Sequence, residues 1–215
     1  MMIELLYEDN QIIVAYKPKG VLSQADGSDK EDMLTLLKAY IKEKYHKAGN
    51  VYLGLVHRLD LFTSGIMVFA RTSKAASRLG EQVKNRLIEK KYHAIVEGEL
   101  TGSATLQCLL TKNEKEKKAY VTSKGQEAIL EYQVLSTKQY KENTLTLVDI
   151  TLKTGRFHQI RAQFSSIGHP LFGDIKYGSQ FHMNAFDFPL EAYHLGFYHP
   201  VTKKWLTFKK NTLKF

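Results

Sequence analysis

Apolar positions along the chain recur at two different spacings, and the switches between them mark the elements. Ile12 to Tyr16 is a β-branched, apolar run closed by Lys17-Pro18-Lys19-Gly20, which predicts a strand ending in a turn. The polar stretch Ser23 to Asp32 reads as a loop. From Met33 to Tyr45, apolar residues at 33, 36, 37, 40, 41 and 45 form a helical stripe, with Asp29 or Asp32 available as its N-cap. Val51 to Val56 and Ile66 to Ala70 read as strands. Ser73 can cap a helix whose buried face is Ala76, Leu79, Val83 and Leu87. Tyr92 to Gly98 is a strand ended by its glycine, and 111–118 is a loop or an exposed hairpin tip. Ala128 to Leu135 and Leu145 to Leu152 are strands, the second broken by Gly155-Arg156. Phe157, Ile160, Phe164 and Ile167 then keep helical spacing up to Gly168, placed to be the C-terminal cap. Tyr193 to Tyr198 and Trp205 to Phe208 read as closing strands.

Strands in groups with a few helices between them, rather than strict alternation, predict an α+β fold with a mixed, mostly antiparallel sheet flanked by helices and loops. Neither repeats nor low-complexity linkers interrupt the 215 residues, so one domain over 1–215 is expected. With 43% hydrophobic and 25% charged residues, the composition excludes collagen-like, disordered and disulfide-scaffold classes. Cys108 is the single cysteine; it forbids an internal disulfide, fits a reducing cytoplasm and does not suit a structural zinc site. No apolar run approaches the roughly 20 residues of a membrane span, and Met1-Met2-Ile3-Glu4 has no signal-peptide pattern.

Charge changes the picture where it is localised. Lys and Arg number 31 against 22 Asp and Glu, a formal net charge of +9. Basic clusters lie at 71–91, at 111–124 and at 203–214. Each is either a solvated face or part of a polyanion footprint; three in one small chain favour the footprint, and nucleic acid is the commonest such partner.

Four constellations have candidate chemistry. His57-Arg58-Leu59-Asp60, followed by Phe62-Thr63-Ser64-Gly65, brings a cation and a carboxylate into a loop between two strands. It is either a working site with Asp60 as nucleophile or base, or a connecting loop with a local Arg–Asp pair. Gly155-Arg156-Phe157-His158-Gln159-Ile160-Arg161 sits at a strand-to-helix junction. There, His158 and Arg161 share a helix face, and Arg156 lies near an N-terminus that favours anions; the alternative is a merely wet polar face. Tyr92, beside Lys90 and Lys91, is either a stacking platform or core. Gly168-His169-Pro170 through Gly173-Asp174 to Tyr177-Gly178 reads as an ordered structural loop first. P-loop, dinucleotide, metalloprotease and Gly-x-Ser-x-Gly signatures are absent.

Taken together, these blocks resemble the RluA family of RNA pseudouridine synthases. Lys17 to Gly20, His57 to Asp60 with Thr63-Ser64-Gly65, Lys91 to Val96, and Gly155 to Arg161 with Gly168-His169-Pro170 and Gly173-Asp174 follow one another in the family's order. Tyr193-His194-Leu195 and His199-Pro200 match its closing strands. The resemblance implies the pseudouridine synthase fold and isomerisation of uridine in rRNA or tRNA, with no metal and no cofactor. It implies that Asp60 is the catalytic aspartate, that Arg161 pairs with its carboxylate, and that Tyr92 stacks on the uracil and is a candidate for assisting proton removal at C5. Ile160 is implied to pack against the site and Arg58 to fill the gap left by the flipped nucleotide, a movement the chemistry requires because a stacked base is out of reach. His57 and Arg156 are the further expected substrate contacts.

Phe62 and Gln163 depart from the family pattern, where a polar residue and a His are more usual. Many relatives carry an N-terminal RNA-binding domain of the S4 type. Here the first block lies within twenty residues of the start, so the RNA footprint is expected to come from the catalytic domain's own Lys and Arg. A monomer and a cytoplasmic location are expected. A non-catalytic RNA-binding module on the same fold is the alternative.

Overall fold

The computed structural model describes residues 3–215; Met1 and Met2, part of the segment read for a targeting signal, lie outside the described residues. In chain order the strands are β1 (Glu4–Glu8), β2 (Ile12–Lys17), β3 (Gly54–Leu55), β4 (Ser64–Ala70), β5 (Glu89–Glu97), β6 (Ser103–Asn113), β7 (Lys118–Thr122), β8 (Gln126–Tyr140), β9 (Asn143–Leu152), β10 (Leu190–Tyr198) and β11 (Trp205–Lys209). The helices are α1 (Met33–Lys44), α2 (Ser73–Lys84) and α3 (Gln159–Ser166). Few helices and many strands, with antiparallel pairing dominant, make this the expected α+β fold. Two compact units form: one of residues up to Ile88 with Tyr193–Lys210, the other of Glu89–Ala192 with Asn211–Phe215.

In the first unit, β2 pairs with β1 on one side and β4 on the other, and β4 leads on to β10 and β11. Ile12, Val14, Ile66, Val68, Leu79, Leu195 and Phe197 form its core. β4 is buried along its whole length, which explains why it reads as a continuous apolar run rather than an alternation. The β2–β4 register runs from Ile12 opposite Ala70 to Lys17 opposite Gly65. It therefore sets Lys17 beside the loop that enters β4. Gly65 there has φ 142°, a conformation that L side chains rarely adopt.

Several expectations need correction. The 51–56 segment is a strand only over Gly54–Leu55. β1 was not anticipated, because a half-exposed edge strand carries little hydrophobic signal. The N-cap of α2 is Thr72, whose hydroxyl accepts the Ala75 N–H, rather than Ser73. Its buried face is Ala75, Leu79 and Gln82, whereas Val83 and Leu87 are exposed. A glutamine displaces valine from the interior because its amide is satisfied at both ends. Nε2 donates to the Tyr198 carbonyl at 2.8 Å and Oε1 accepts the Tyr198 N–H at 2.9 Å.

In the second unit the strand order is β5-β9-β8-β6-β7. The 111–118 stretch is the end of β6 and the turn into β7, so the hairpin reading holds. Helix α3 lies on this sheet. Phe164, fully buried, packs on Tyr132 with ring centroids 5.4 Å apart, a burial worth roughly 1.5–3 kcal/mol. The helix is shorter than its apolar spacing suggests: Phe157 precedes it and Ile167 is its half-exposed C-cap residue. Its other buried residues are Gln159, Ile160, Ala162 and Gln163. The Gln163 amide donates to the carbonyls of Leu106 and Ala128, at 3.0 and 3.2 Å, on adjacent strands. Replacing Gln82 by Ala strands both Tyr198 backbone groups; we expect a loss of about 1–3 kcal/mol in urea unfolding, whereas Val83→Ala should cost well under 1 kcal/mol.

Candidate active site

The loop carrying Asp60 is tied down by two buried polar side chains. Lys17 is fully buried, and its ammonium donates to the carbonyls of Val21 (2.7 Å), Pro18 (3.0 Å) and Leu61 (3.1 Å). Three acceptors match the three protons of an ammonium. The Gly20 N–H reaches the same Leu61 carbonyl at 2.9 Å. Ser23, also buried, bonds Leu59 twice, accepting its N–H (2.9 Å) and donating to its carbonyl (2.8 Å). Both residues flanking Asp60 are thus held, and a turn closed by the Thr63 N–H on the Asp60 carbonyl (3.1 Å) fixes the exit. Asp60 itself is half-buried and Arg58 exposed. His57 uses Nε2 to accept the Val68 N–H at 3.2 Å, which puts its proton on Nδ1.

Burial drives the Lys17 pKa down to about 7, against the opposing pull of the Asp60 carboxylate. The sequence pointed to the Lys17-Pro18-Lys19-Gly20 block as a turn and as the first of the blocks that resemble the family, with no role for its lysine. What was missed is that its lysine is the buried anchor of the Asp60 loop, because a lysine at a strand end is normally exposed.

In the second unit, Tyr92 lies on β5 opposite Ile150 of β9 and is buried. Ile160 is buried on α3. Arg156 points its Nε at the Glu127 carbonyl (2.8 Å), and its backbone N–H donates to Gln159 Oε1 (3.0 Å). That glutamine oxygen also accepts from Thr154 Oγ1 at 2.8 Å, so the junction into α3 is closed by side chains. His158, immediately before α3, adopts the left-handed conformation, φ 51° and ψ 27°, which is uncommon for a residue with a Cβ.

The spacing of His158 and Arg161 does bring them together: the Arg161 guanidinium donates to His158 Nε2 at 3.0 Å. An arginine can only donate, so Nε2 is unprotonated and Nδ1–H donates to the Tyr177 hydroxyl at 2.9 Å. Burial first, and then Arg161, Lys176 and Lys112, hold the His158 pKa down to about 3, so the imidazole is neutral at physiological pH. Arg161 is gripped from its other edge by Asp174, with Nε–Oδ2 2.7 Å and Nη2–Oδ1 2.8 Å. Its guanidinium lies 4.8 Å from the Tyr177 ring centroid and 5.4 Å from that of Phe188. The segment expected to be structural, Gly173 to Gly178, thus contributes both Asp174 and Tyr177 to the setting of Arg161. Sequence spacing gave no sign of this, since residues 161 and 174 are separated by a helix end and a turn.

Of the basic cluster at 71–91, Arg71, Arg78 and Lys90 are committed inside the protein, whereas Lys74, Lys84 and Arg86 are exposed. Arg71 bonds Glu8 (3.0 Å) and the Asp9 carbonyl (2.5 Å), Arg78 donates to the Pro200 carbonyl (2.9 Å), and burial lowers the Lys90 pKa. Lys210 pairs with Glu4. Among the described residues, no three His, Cys, Asp or Glu side chains converge on a metal position. No described helix is long and apolar enough to cross a membrane.

Residues 11–166 match the family model described as RNA pseudouridylate synthase, and the chain belongs to that family. Its relatives place it with the RluA type. It is 31% identical to the dual-specificity RNA pseudouridine synthase RluA of Pasteurella multocida, over 96% of this chain and 91% of that protein. It is 34% identical to the ribosomal large subunit pseudouridine synthase D of Pseudomonas aeruginosa, over 94% of this chain and 67% of that one. Among solved structures, human RNA pseudouridylate synthase domain containing 4 superposes with a TM-score of 0.76 at 22% identity, covering 98% of this chain and 88% of that chain, so the fold is shared.

Two outcomes follow from the buried charges. Lys17→Met leaves three carbonyls without their donor and should cost several kcal/mol, about 1–3 for each unsatisfied group. The Lys17 pKa is lower folded than unfolded, so the unfolded chain binds more protons between pH about 7 and 10.5. The stability gap between wild type and Lys17→Met should therefore widen with pH across that window, by up to about 1.4 kcal/mol per unit, in urea titrations at several pH values. Asp174→Ala breaks a buried pair from one side and should cost about 3–5 kcal/mol in the same assay.

Proposed function

We propose that this protein converts a specific uridine of structured rRNA or tRNA to pseudouridine, as a single catalytic domain over 1–215 that works as a cytoplasmic monomer. The observation that carries the reading is the Asp60 loop. Its sequence is that of the family's catalytic block, and its backbone is immobilised on both sides of the carboxylate by Lys17 and Ser23. Such fixation is what a reacting group needs, since the geometry is set before substrate arrives.

In this reading the C1′–N1 bond of a flipped uridine breaks, the uracil turns, and a C1′–C5 bond forms. The proton leaves C5 and one is gained at N1, so atoms and electrons balance without a co-reactant. Asp60 acts at C1′, by attack or by assisting departure of the base. Arg161 keeps that carboxylate charged, Tyr92 stacks on the uracil, and Ile160 lines the pocket. Arg58, exposed in the loop, fills the place of the flipped nucleotide, and His57 and Arg156 contact the substrate. The grip of Asp174 and His158 on Arg161 supports this role, because a guanidinium already oriented loses less freedom when it meets a carboxylate.

Asp60→Asn and Asp60→Ala should abolish pseudouridine formation, a loss of at least about a thousandfold if attack or departure depends on the charge. Folding, followed by thermal unfolding, should be largely unaffected. The assay is pseudouridine mapping in rRNA and tRNA from a strain lacking the gene, after incubation with purified protein. Near-normal turnover by Asp60→Asn would sink the mechanism. RNA binding by the wild type with no pseudouridine formed would instead favour a binding module.

A further inference from the structure

Two lysines of the basic cluster at 111–124 lie against aromatic rings of the second unit. Lys112, at the end of β6, places its ammonium 4.8 Å from the Phe157 ring centroid, just before α3. Lys118, at the start of β7, lies 5.1 Å from the Tyr177 ring centroid and 5.2 Å from that of Tyr120. Lys176, exposed beside Tyr177, comes from the turn that also supplies Asp174. The β6–β7 hairpin and the Ile175–Tyr177 turn thus bring three lysines around Phe157, His158 and Tyr177. Their acidic neighbours offset them little. Lys112 meets Glu114 at 2.6 Å, but that carboxylate is 78% exposed, and such pairs contribute about 0–1 kcal/mol. Glu116 bonds the Tyr120 hydroxyl, and Asp174 is spent on Arg161. Among the described residues, Lys118 and Lys176 have no carboxylate partner. After burial, which is the larger cause, Arg161, Lys176 and Lys112 also lower the His158 pKa, so two of the three lysines act on this ring.

Like charges gathered in this way repel one another unless a polyanion joins them. The rings among them suit nucleic acid better than an acidic peptide, since phosphate meets the ammonium while Tyr120, exposed at 38%, offers a face to a base or ribose. We propose that this face of the second unit, formed by the β6–β7 hairpin, the start of α3 and the Ile175–Tyr177 turn, holds the RNA backbone, with Lys112, Lys118 and Lys176 as the phosphate contacts. The inference rests on the reading of the protein as an RNA pseudouridine synthase and says where that enzyme carries part of its substrate. Phosphates held beside the start of α3 lie next to Arg161, so a strand anchored here is anchored near the group assigned to the reaction.

The test compares Lys112→Gln/Lys118→Gln/Lys176→Gln with Lys38→Gln/Lys42→Gln/Lys47→Gln, which removes the same charge from the α1 region of the first unit. RNA from a strain lacking the gene is the probe, and Kd is measured from 50 to 300 mM KCl. Each lost phosphate contact lowers the slope of log Kd against log salt by about 0.7–0.9. The first variant should therefore lose roughly 2 units of slope and bind about tenfold or more weakly near 150 mM. The α1 variant should keep the wild-type slope, and Lys→Arg at the three positions should restore it. An unchanged slope in the Gln triple, an equal loss in the α1 variant, or failure of the Arg triple to restore it would overturn the proposal. Pseudouridine formation by the wild type is scored on the same RNA. An unchanged slope in an active enzyme refutes this surface alone, whereas an inactive wild type refutes the functional reading and this inference with it.

Discussion

A single buried ammonium holds the loop on which the chemistry depends. Lys17 ends a core strand and turns inward, where burial opposes its charge and three carbonyls accept its N–H groups. Those carbonyls belong to its own turn and to Leu61, the residue after Asp60, so the charge couples the end of β2 to the loop entering β4. A neutral side chain of the same length would fill the space but could not bridge three acceptors. The loop thus keeps a fixed shape although it consists largely of residues without regular structure. That combination, an irregular segment on a rigid support, is the usual setting for a reactive group.

The second unit solves a similar problem with a different device. Arg161 is long and has many rotamers, so orienting it carries a large entropic cost. Asp174 takes one edge of the guanidinium and His158 meets it from another side, while Tyr177 bonds the imidazole and lies beside the guanidinium. His158 combines a left-handed backbone with a ring that meets both Arg161 and Tyr177. The glutamines of α3 extend the same logic into the core, where Gln159 and Gln163 bond strand carbonyls. The helix is therefore positioned by directional hydrogen bonds as much as by the packing of Phe164.

Much of this was legible from local pattern. The strands β2 and β4, the stripe of α1, the hairpin at 111–118 and the α+β class follow from period and turn residues. The block that holds Asp60 and the one that holds Arg161 stood out by their residue types and order. Two of the misreadings come from reading apolar residues and their spacing alone. Val83 and Leu87 were assigned to the core because they are apolar, whereas Gln82 is buried because two backbone groups of Tyr198 meet it there. Phe157 and Ile167 were assigned to a helix because of their spacing, whereas His158 starts that helix with a turn of the opposite hand. For Gln82 the deciding partner lies far away in the chain, whereas for Phe157 it is the local backbone of His158.

The sequence alone determined the alternation of elements and the family, because hydrophobic period and motif order are properties of neighbouring residues. It also held every charge that the site uses. Tertiary structure alone decided which of those charges are spent inside the protein and which face outward. Arg71 and Arg78 looked like part of a phosphate footprint and are bound to internal acceptors. Lys17 looked like a turn residue and is the anchor. Asp174 looked like part of a structural loop and holds Arg161. The physical reason is that a charge acts over a few ångströms of space, and the side chains within that reach are set by how the chain returns on itself, not by its order.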